Sequence, residues 1–69
     1  MVEVFKTNVL HRERAEQLAS ILHSQFSFSK ISFDLEDCDK ILRVEAKQIC
    51  VETIIEILSM HGLECEVLT

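Results

Sequence analysis

The chain alternates between two kinds of hydrophobic spacing, and the order of the resulting segments limits the possible folds. Four segments place apolar residues at every second position, as in a half-buried strand, and two place them in one stripe at helical spacing. Strands are predicted over residues 2–9, 31–35, 41–45 and 63–69, and helices over residues 11–25 and 47–61. Right-handed crossovers in this order give a four-stranded antiparallel sheet, in strand order 4-1-3-2, with both helices on one face. The predicted fold is therefore an α+β, ferredoxin-like βαββαβ sandwich.

The apolar stripes of the two helices predict which residues form the core. The stripe of the first helix consists of Ala15, Leu18, Ala19, Leu22 and Phe26. The stripe of the second helix consists of Val51, Ile54, Ile55 and Leu58. Further apolar residues lie outside this second stripe and indicate either wider burial or a surface for a partner: Ile49, Cys50, Ile57 and Met60.

The first strand has two faces of different character. Phe5 and Val9 share the face that is predicted to cover the core, whereas Val2 and Val4 lie on the opposite face. Because both helices cover one side of the sheet, this opposite face is expected to be bare and to have little cover of charge. It is therefore a second candidate for a protein-binding surface.

The length and composition favour one small, compact domain over residues 1–69. Hydrophobic residues make up 48% of the chain, with one glycine and no proline, which argues against a linker or a disordered segment. The net charge of −5 disfavours nucleic acid, which needs a basic surface, and no apolar run approaches the roughly 18 residues of a membrane span. Cys38, Cys50 and Cys65 occur without a C-x-x-C pair or a secretory signal, so free thiols in a reducing cytoplasm are expected. Cys50 and Cys65 fall at periodic positions and are expected to be hydrophobic residues in the core or at its edge.

The junction between the first strand and the first helix, residues 6–14, is where this fold can expose chemistry. Backbone N–H groups at a helix start are unpaired, and side chains project there from the end of the sheet. The side chains on offer include His11, Arg12 and Arg14. The two arginines could bind an anion, or they could be solvated and paired with polar neighbours on the helix. An acylphosphatase-like enzyme, which would share the fold, is not expected because residues 41–45 lack the matching asparagine.

Short motifs along almost the whole chain resemble the heavy-metal-associated domain. They are Lys6-Thr7-Asn8-Val9 at the end of strand one, Phe33-Asp34-Leu35 entering the hairpin, Asp39-Lys40-Ile41-Leu42-x-Val44 leaving it, and the closing His61-Gly62-Leu63. The resemblance implies the fold of copper chaperones and of the N-terminal modules of metal-pumping ATPases. It also implies a C-x-x-C pair in the loop after strand one, whose two thiolates suit a soft ion such as Cu(I).

This chain departs from the family pattern at the metal-binding positions. Aligned on Lys6-Thr7-Asn8, the first cysteine position falls on His11 and the second on Arg14, and arginine stays protonated and does not bind metal. The resemblance therefore implies a small, non-catalytic domain that is degenerate for metal binding and has no cofactor. Its expected role is protein interaction in a metal-handling context, with a metal transporter or a second copy in a weak homodimer as the partner.

An alternative keeps a residual metal site. In a βαββαβ fold, the loops that follow strand one, strand two and helix two lie at the same end of the sheet. This gathers His11, Cys38 and His61, a set of nitrogen and sulfur ligands that would suit Zn²⁺ if they converged, with copper as the other candidate ion. The protein would then bind metal, or act as a metal chaperone, through His11 with Cys38 or His61. The other interpretation of His11 is a solvated side chain or one packed at the edge of the core.

Overall fold

A computed structural model describes residues 1–25 and 30–68 of the chain. Its elements are β1 (Val2–Thr7), α1 (Arg12–Gln25), β2 (Lys30–Asp34), β3 (Ile41–Glu45), α2 (Val51–Met60) and β4 (Cys65–Val67). The strands form one sheet in the order β2-β3-β1-β4, and every neighbouring pair is antiparallel. This confirms the predicted α+β, ferredoxin-like sandwich and its strand order. Over the described ranges, no helix has the length and apolar character that crossing a membrane requires.

The core between the sheet and the helices consists of two groups of buried side chains. The larger group joins β1 and β3 to both helices and contains Phe5, Leu22, Leu42, Val44, Ile54 and Leu58. The smaller group contains Val9, Ala15 and Leu18. The helical stripes thus predicted the inward side of both helices, although Ala19, Val51 and Ile55 are only half-buried. Phe26, the last residue of the first predicted stripe, lies outside the described residues.

The apolar residues beside the α2 stripe have two different environments. Ile49 and Ile57 are half-buried and pack against the larger core group. Met60 is 77% exposed, and Cys50, which was expected in the core or at its edge, is exposed as well. The reason is that α2 begins at Val51 rather than at residue 47, so Cys50 precedes the helix instead of lying on its inner side. Wider burial therefore accounts for Ile49 and Ile57 but not for Met60.

Hydrogen bonds near the N-terminus explain the late start of α2. The N–H of Ala46 donates to the carbonyl of Met1 at 3.0 Å, and the Met1 ammonium donates to the carbonyl of Ala46 at 2.7 Å. Ala46 thus stays paired with the N-terminus beyond the end of β3. The residues that follow it form the turn toward the helix, so the helix begins later. Cys50 takes an extended conformation at the N-cap position, without a side-chain hydrogen bond. After the helix, Gly62 adopts a left-handed φ of 77°, as predicted for the residue that ends it.

The open face of the sheet carries more charge than its first strand suggests. The register places Val4 of β1 beside Arg43 of β3. On the other side of β1, Lys6 lies opposite Glu66 of β4. The expectation of little charge on this face is therefore wrong, because the outward residues of the strands beside β1 include charged side chains that alternate with buried ones.

Candidate functional site

Hydrogen bonds join three loops at one end of the sheet. The N–H of Thr7, at the end of β1, donates to the carbonyl of Asp39 at 3.0 Å, and the Thr7 hydroxyl donates to the carbonyl of Lys40 at 2.6 Å. The side-chain oxygen of Asn8 accepts a bond from the N–H of Glu64 at 2.9 Å. The loop after β1 is therefore fixed to the turn between β2 and β3 and to the loop before β4, as the topology predicted.

Arg14 makes a further connection at this end. It is half-buried in the first half of α1, and its Nη2 donates a hydrogen bond to the carbonyl of His61, just beyond the end of α2. The last carbonyls of a helix have no partner within the helix and lie at the negative end of its dipole, so a guanidinium group is stabilising there. Arg14 therefore ties the start of α1 to the end of α2, which neither interpretation of its sequence position anticipated.

His11 lies in solvent immediately before α1. Its carbonyl accepts the N–H of Ala15 at 3.0 Å, so it supplies the first backbone hydrogen bond of the helix from the N-cap position. The side chain is exposed, which agrees with the solvated interpretation rather than with packing at the edge of the core. Arg12, the first residue of α1, is exposed too.

The turn between β2 and β3 is built by its own polar groups. Asp37 Oδ1 accepts the N–H of Asp39 at 2.8 Å, and the carbonyl of Asp37 accepts the N–H of Lys40 at 3.0 Å. Lys40 has a positive φ of 49°, which lets the chain reverse direction. Asp39 also approaches Lys6, with 3.8 Å between Oδ1 and Nζ. Cys38 is exposed between the two aspartates.

The predicted metal ligands lie on the expected loops but do not form one group. In the described part of the chain, one set of three potential ligands has its ligand atoms within 4.8 Å of one another, namely Asp37, Cys38 and Asp39. His11 and His61 are not members of this set. The loops rise from different strands, which are spaced about 4.8 Å apart, so sharing one end of the sheet does not bring their side chains together. A site that uses His11 with Cys38 or His61 stays a prediction.

The cysteines differ in their exposure to solvent. Cys38 and Cys50 are exposed, and the Cys50 Sγ lies 3.7 Å from Glu52 Oε2. Cys65 is half-buried in β4, and this burial raises the pKa of its thiol from an ordinary value of 9.0 to about 11. The Cys65 thiolate is therefore scarcer near neutral pH and its thiol reacts more slowly, whereas exposure leaves the other two thiols accessible to reagents.

A groove that the sequence did not predict lies beside Arg14. Its volume is about 440 Å³, and its lining combines polar and apolar side chains: Arg14, Gln17, Leu18, Ser20, Ile21 and His61. All of these residues except His61 belong to α1, and His61 follows α2. Arg14, Gln17, Leu18 and Ile21 lie at helical spacing on α1, but His61 comes from the end of the other helix, so no local pattern in the sequence signals the groove.

Comparisons with family models, with curated proteins and with solved structures found no match for this chain. The resemblance to the heavy-metal-associated domain therefore stays a prediction that rests on the sequence motifs. The fold agrees with that resemblance, but a fold alone does not identify a function.

Proposed function

We propose that the chain is a non-catalytic protein-interaction domain of the heavy-metal-associated type that has lost its metal-binding thiolates. The observation that carries the proposal is the position of Arg14. This arginine stands where the second cysteine of the family motif would be, and its guanidinium is held at the loop end of the sheet by the carbonyl of His61. His11, at the first cysteine position, is exposed, and the cluster around Cys38 does not include it.

A fixed guanidinium opposes the binding of a metal ion nearby. Two unit positive charges roughly 4 Å apart repel by about 1 kcal/mol in bulk water and by about 4 kcal/mol at an effective dielectric constant typical of pairs near a protein surface. Arginine also cannot replace the lost thiolate as a ligand, because it stays protonated. The hydrogen bond to His61 therefore supports a structural role for Arg14 at this end of the molecule rather than a role in metal transfer.

Exposed apolar side chains at the same end support binding to a protein. Leu10 is 68% exposed in the loop before α1, and Met60 is 77% exposed at the last position of α2. The hydrogen bond between Arg14 and His61 joins the two elements next to these side chains. Fully burying one such side chain against a partner is worth about 1.5–3 kcal/mol. In a metal-handling context, a domain of a metal transporter is the partner that we propose for this end.

Metal titration tests the loss of metal binding. The reduced protein is expected to lose Cu(I) to a competing chelator and to form no stoichiometric Zn²⁺ complex in native mass spectrometry. His11→Cys together with Arg14→Cys should create tight Cu(I) binding, because two thiolates are then spaced as in C-x-x-C. The matched control carries Glu13→Cys and Ser20→Cys, at exposed positions about two helical turns apart, and should not bind Cu(I) in this way.

The same titration also tests the alternative of a residual metal site. A stoichiometric Zn²⁺ or copper complex of the unmodified chain that survives competition would contradict the proposal. Loss of that complex in His11→Ala, with a further loss in Cys38→Ser or His61→Ala, would support the residual site. Each variant should be checked by far-UV circular dichroism, so that a loss of binding is not confused with a loss of folding.

A further inference from the structure

One of the two outer strands of the sheet, β2, carries a charge pattern that complements itself. Among the described residues, β2 (Lys30–Asp34) pairs with β3 on one side and has no neighbouring strand on the other. Its sequence, Lys-Ile-Ser-Phe-Asp, has a base and an acid at equal distances from the central Ser32. The unpaired N–H and C=O groups of an edge strand form a template for a further strand.

We propose that a second copy of this chain pairs with β2 in the antiparallel direction, about a two-fold axis at Ser32. Lys30 of each copy then lies opposite Asp34 of the other copy. Ile31 lies opposite Phe33 of the second copy, on the side of the sheet that the helices cover. In an antiparallel sheet, a two-fold axis can pass through a hydrogen-bonded residue pair or through a non-hydrogen-bonded pair. The arrangement is therefore possible whichever kind of pair the two Ser32 residues form. The two sheets become one continuous sheet, and the same surface of each copy forms the interface.

The space beside β2 can accept apolar side chains of the added strand. A groove of about 230 Å³ lies between α1 and β2, and its lining combines apolar side chains with polar ones: Ala15, Ala19, Ile31 and Phe33 with Arg12, Glu16 and Ser32. Ala19 leaves room on α1 because its side chain ends at Cβ and is only half-buried, whereas Ala15 is already buried in the core. Ile31 and Phe33 are half-buried, so part of their apolar surface remains to be covered by the same residues of the second copy. Pairs of aromatic and β-branched side chains across strands are favourable.

The charges at the two ends of β2 also select the direction and the register of pairing. Parallel pairing in register would oppose Lys30 to Lys30 and Asp34 to Asp34, and like charges directly opposite each other are destabilising. An antiparallel slip of two residues would remove both ion pairs. A slip of one residue would place the helices of the second copy on the other face of the sheet. The charged ends of β2 therefore favour one arrangement and oppose the others.

This inference rests on the proposed interaction role, and it specifies a second partner and surface: a second copy of the chain, at the β2 edge. The open face and α2, which the sequence suggested, are not the surfaces involved. The contact is short, with five residues of β2 in each copy, and the net charge of −5 per chain opposes association. We therefore expect a weak, reversible dimer.

Sedimentation equilibrium over a concentration series tests the dimer and its surface together. The unmodified chain is expected to show a reversible equilibrium between monomer and dimer. Lys30→Asp and Asp34→Lys should each raise the dimer Kd by roughly tenfold, because two ion pairs become two contacts between like charges. Asp34→Lys should do so even though it reduces the net negative charge. Lys47→Asp and Glu56→Lys make the same charge changes at exposed positions outside the sheet and should change the Kd much less.

Mixing the two β2 variants distinguishes a specific interface from a loss of folding. One variant carries two acids on β2 and the other carries two bases, so a heterodimer restores both ion pairs. An equimolar mixture of the Lys30→Asp and Asp34→Lys chains is therefore expected to associate more strongly than either chain alone. Far-UV circular dichroism is expected to report the native fold for each variant.

Three results would overturn the dimer proposal. They are a strict monomer at high concentration, a dimer whose Kd neither β2 variant changes, and a mixture of the variants that does not associate. Val4→Lys on the open face and Met60→Lys on α2 should leave the Kd nearly unchanged, and a large increase with either would also contradict the β2 interface. If no dimer forms, the result of the metal titration still stands. Tight metal binding, in contrast, would overturn the proposed function but would not bear on the dimer.

Discussion

The guanidinium of Arg14 donates a hydrogen bond to the carbonyl of His61, and this bond joins the first half of one helix to the end of the other. The two residues are 47 positions apart, so the contact exists only because the fold brings the loops together. The contact gives Arg14 a structural role in this chain.

The substitution Arg14→Ala is expected to lower the free energy of unfolding by about 1–2 kcal/mol, because a hydrogen bond from a charged donor is lost at a partly solvated site. Arg14→Lys should recover only part of this loss, because lysine keeps the positive charge but its ammonium group lacks the planar geometry of the guanidinium. Urea denaturation measures both variants. Arg12→Ala, at an exposed position in the same turn of α1, is the control and should change stability by less than about 0.5 kcal/mol. Equal costs at Arg12 and Arg14 would refute the structural role.

The core should be sensitive to the loss of single leucines. Leu22 and Leu58 are both 0% exposed and belong to the larger core group. Leu22→Ala and Leu58→Ala should each destabilise the fold by about 2–5 kcal/mol, the usual cost of a leucine cavity. In a domain whose total stability is expected near the low end of about 5–15 kcal/mol, either change could unfold the protein. Thermal denaturation checks this, with Leu10→Ala at an exposed position as the control.

The three thiols should react at different rates with a disulfide reagent such as Ellman's reagent. Cys38 and Cys50 are exposed, whereas Cys65 is half-buried with its pKa raised to about 11. At neutral pH, rapid release of two equivalents should be followed by a slow third, because the thiolate of Cys65 is scarce and shielded. In concentrated urea all three should react together. Fast reaction of all three thiols in the folded protein would contradict the burial of Cys65.

The raised pKa of Cys65 also predicts a change of stability with pH. Between pH 9.0 and about 11, the unfolded chain loses the Cys65 proton while the folded chain retains it. The folded state then binds more protons, so the free energy of unfolding falls as pH rises through this window. This contribution of Cys65 to the free energy of unfolding is complete below pH 9.0 and is lost by about pH 11. Urea denaturation across the window should show a shallower decline in Cys65→Ala than in the unmodified chain, whereas Cys50→Ala should decline like the unmodified chain.

The fold was predictable because the hydrophobic periods of the elements agree with one another. The buried positions of Leu18, Leu22, Ile54 and Leu58 follow directly from helical spacing. The start of α2 was not predictable, because it depends on the pairing of residue 46 with the N-terminus, which no local pattern encodes. Cys50 was placed on the helix for this reason, and its exposure was missed.

The candidate site was predictable only as a set of loops. Topology brings the loops that carry His11, Cys38 and His61 to one end of the sheet, and the hydrogen bonds there agree with it. Which side chains meet depends on distances of a few ångströms, and Cys38 lies among the aspartates of its own turn. The bond from Arg14 to His61 links two helices, so neither residue signals the other in the sequence.

The buried hydroxyl of Thr7 makes the movements of two loops dependent on each other. It donates to the carbonyl of Lys40 in one loop and accepts the N–H of Val9 in the other, at 2.6 and 3.3 Å. A force applied to the turn between β2 and β3 would therefore reach the segment before α1 through this oxygen atom as well as through the backbone bond from Thr7 to Asp39. Thr7→Val would keep the shape of the side chain and remove this hydroxyl link, while the bond from the N–H of residue 7 to the carbonyl of Asp39 would still hold the two loops together.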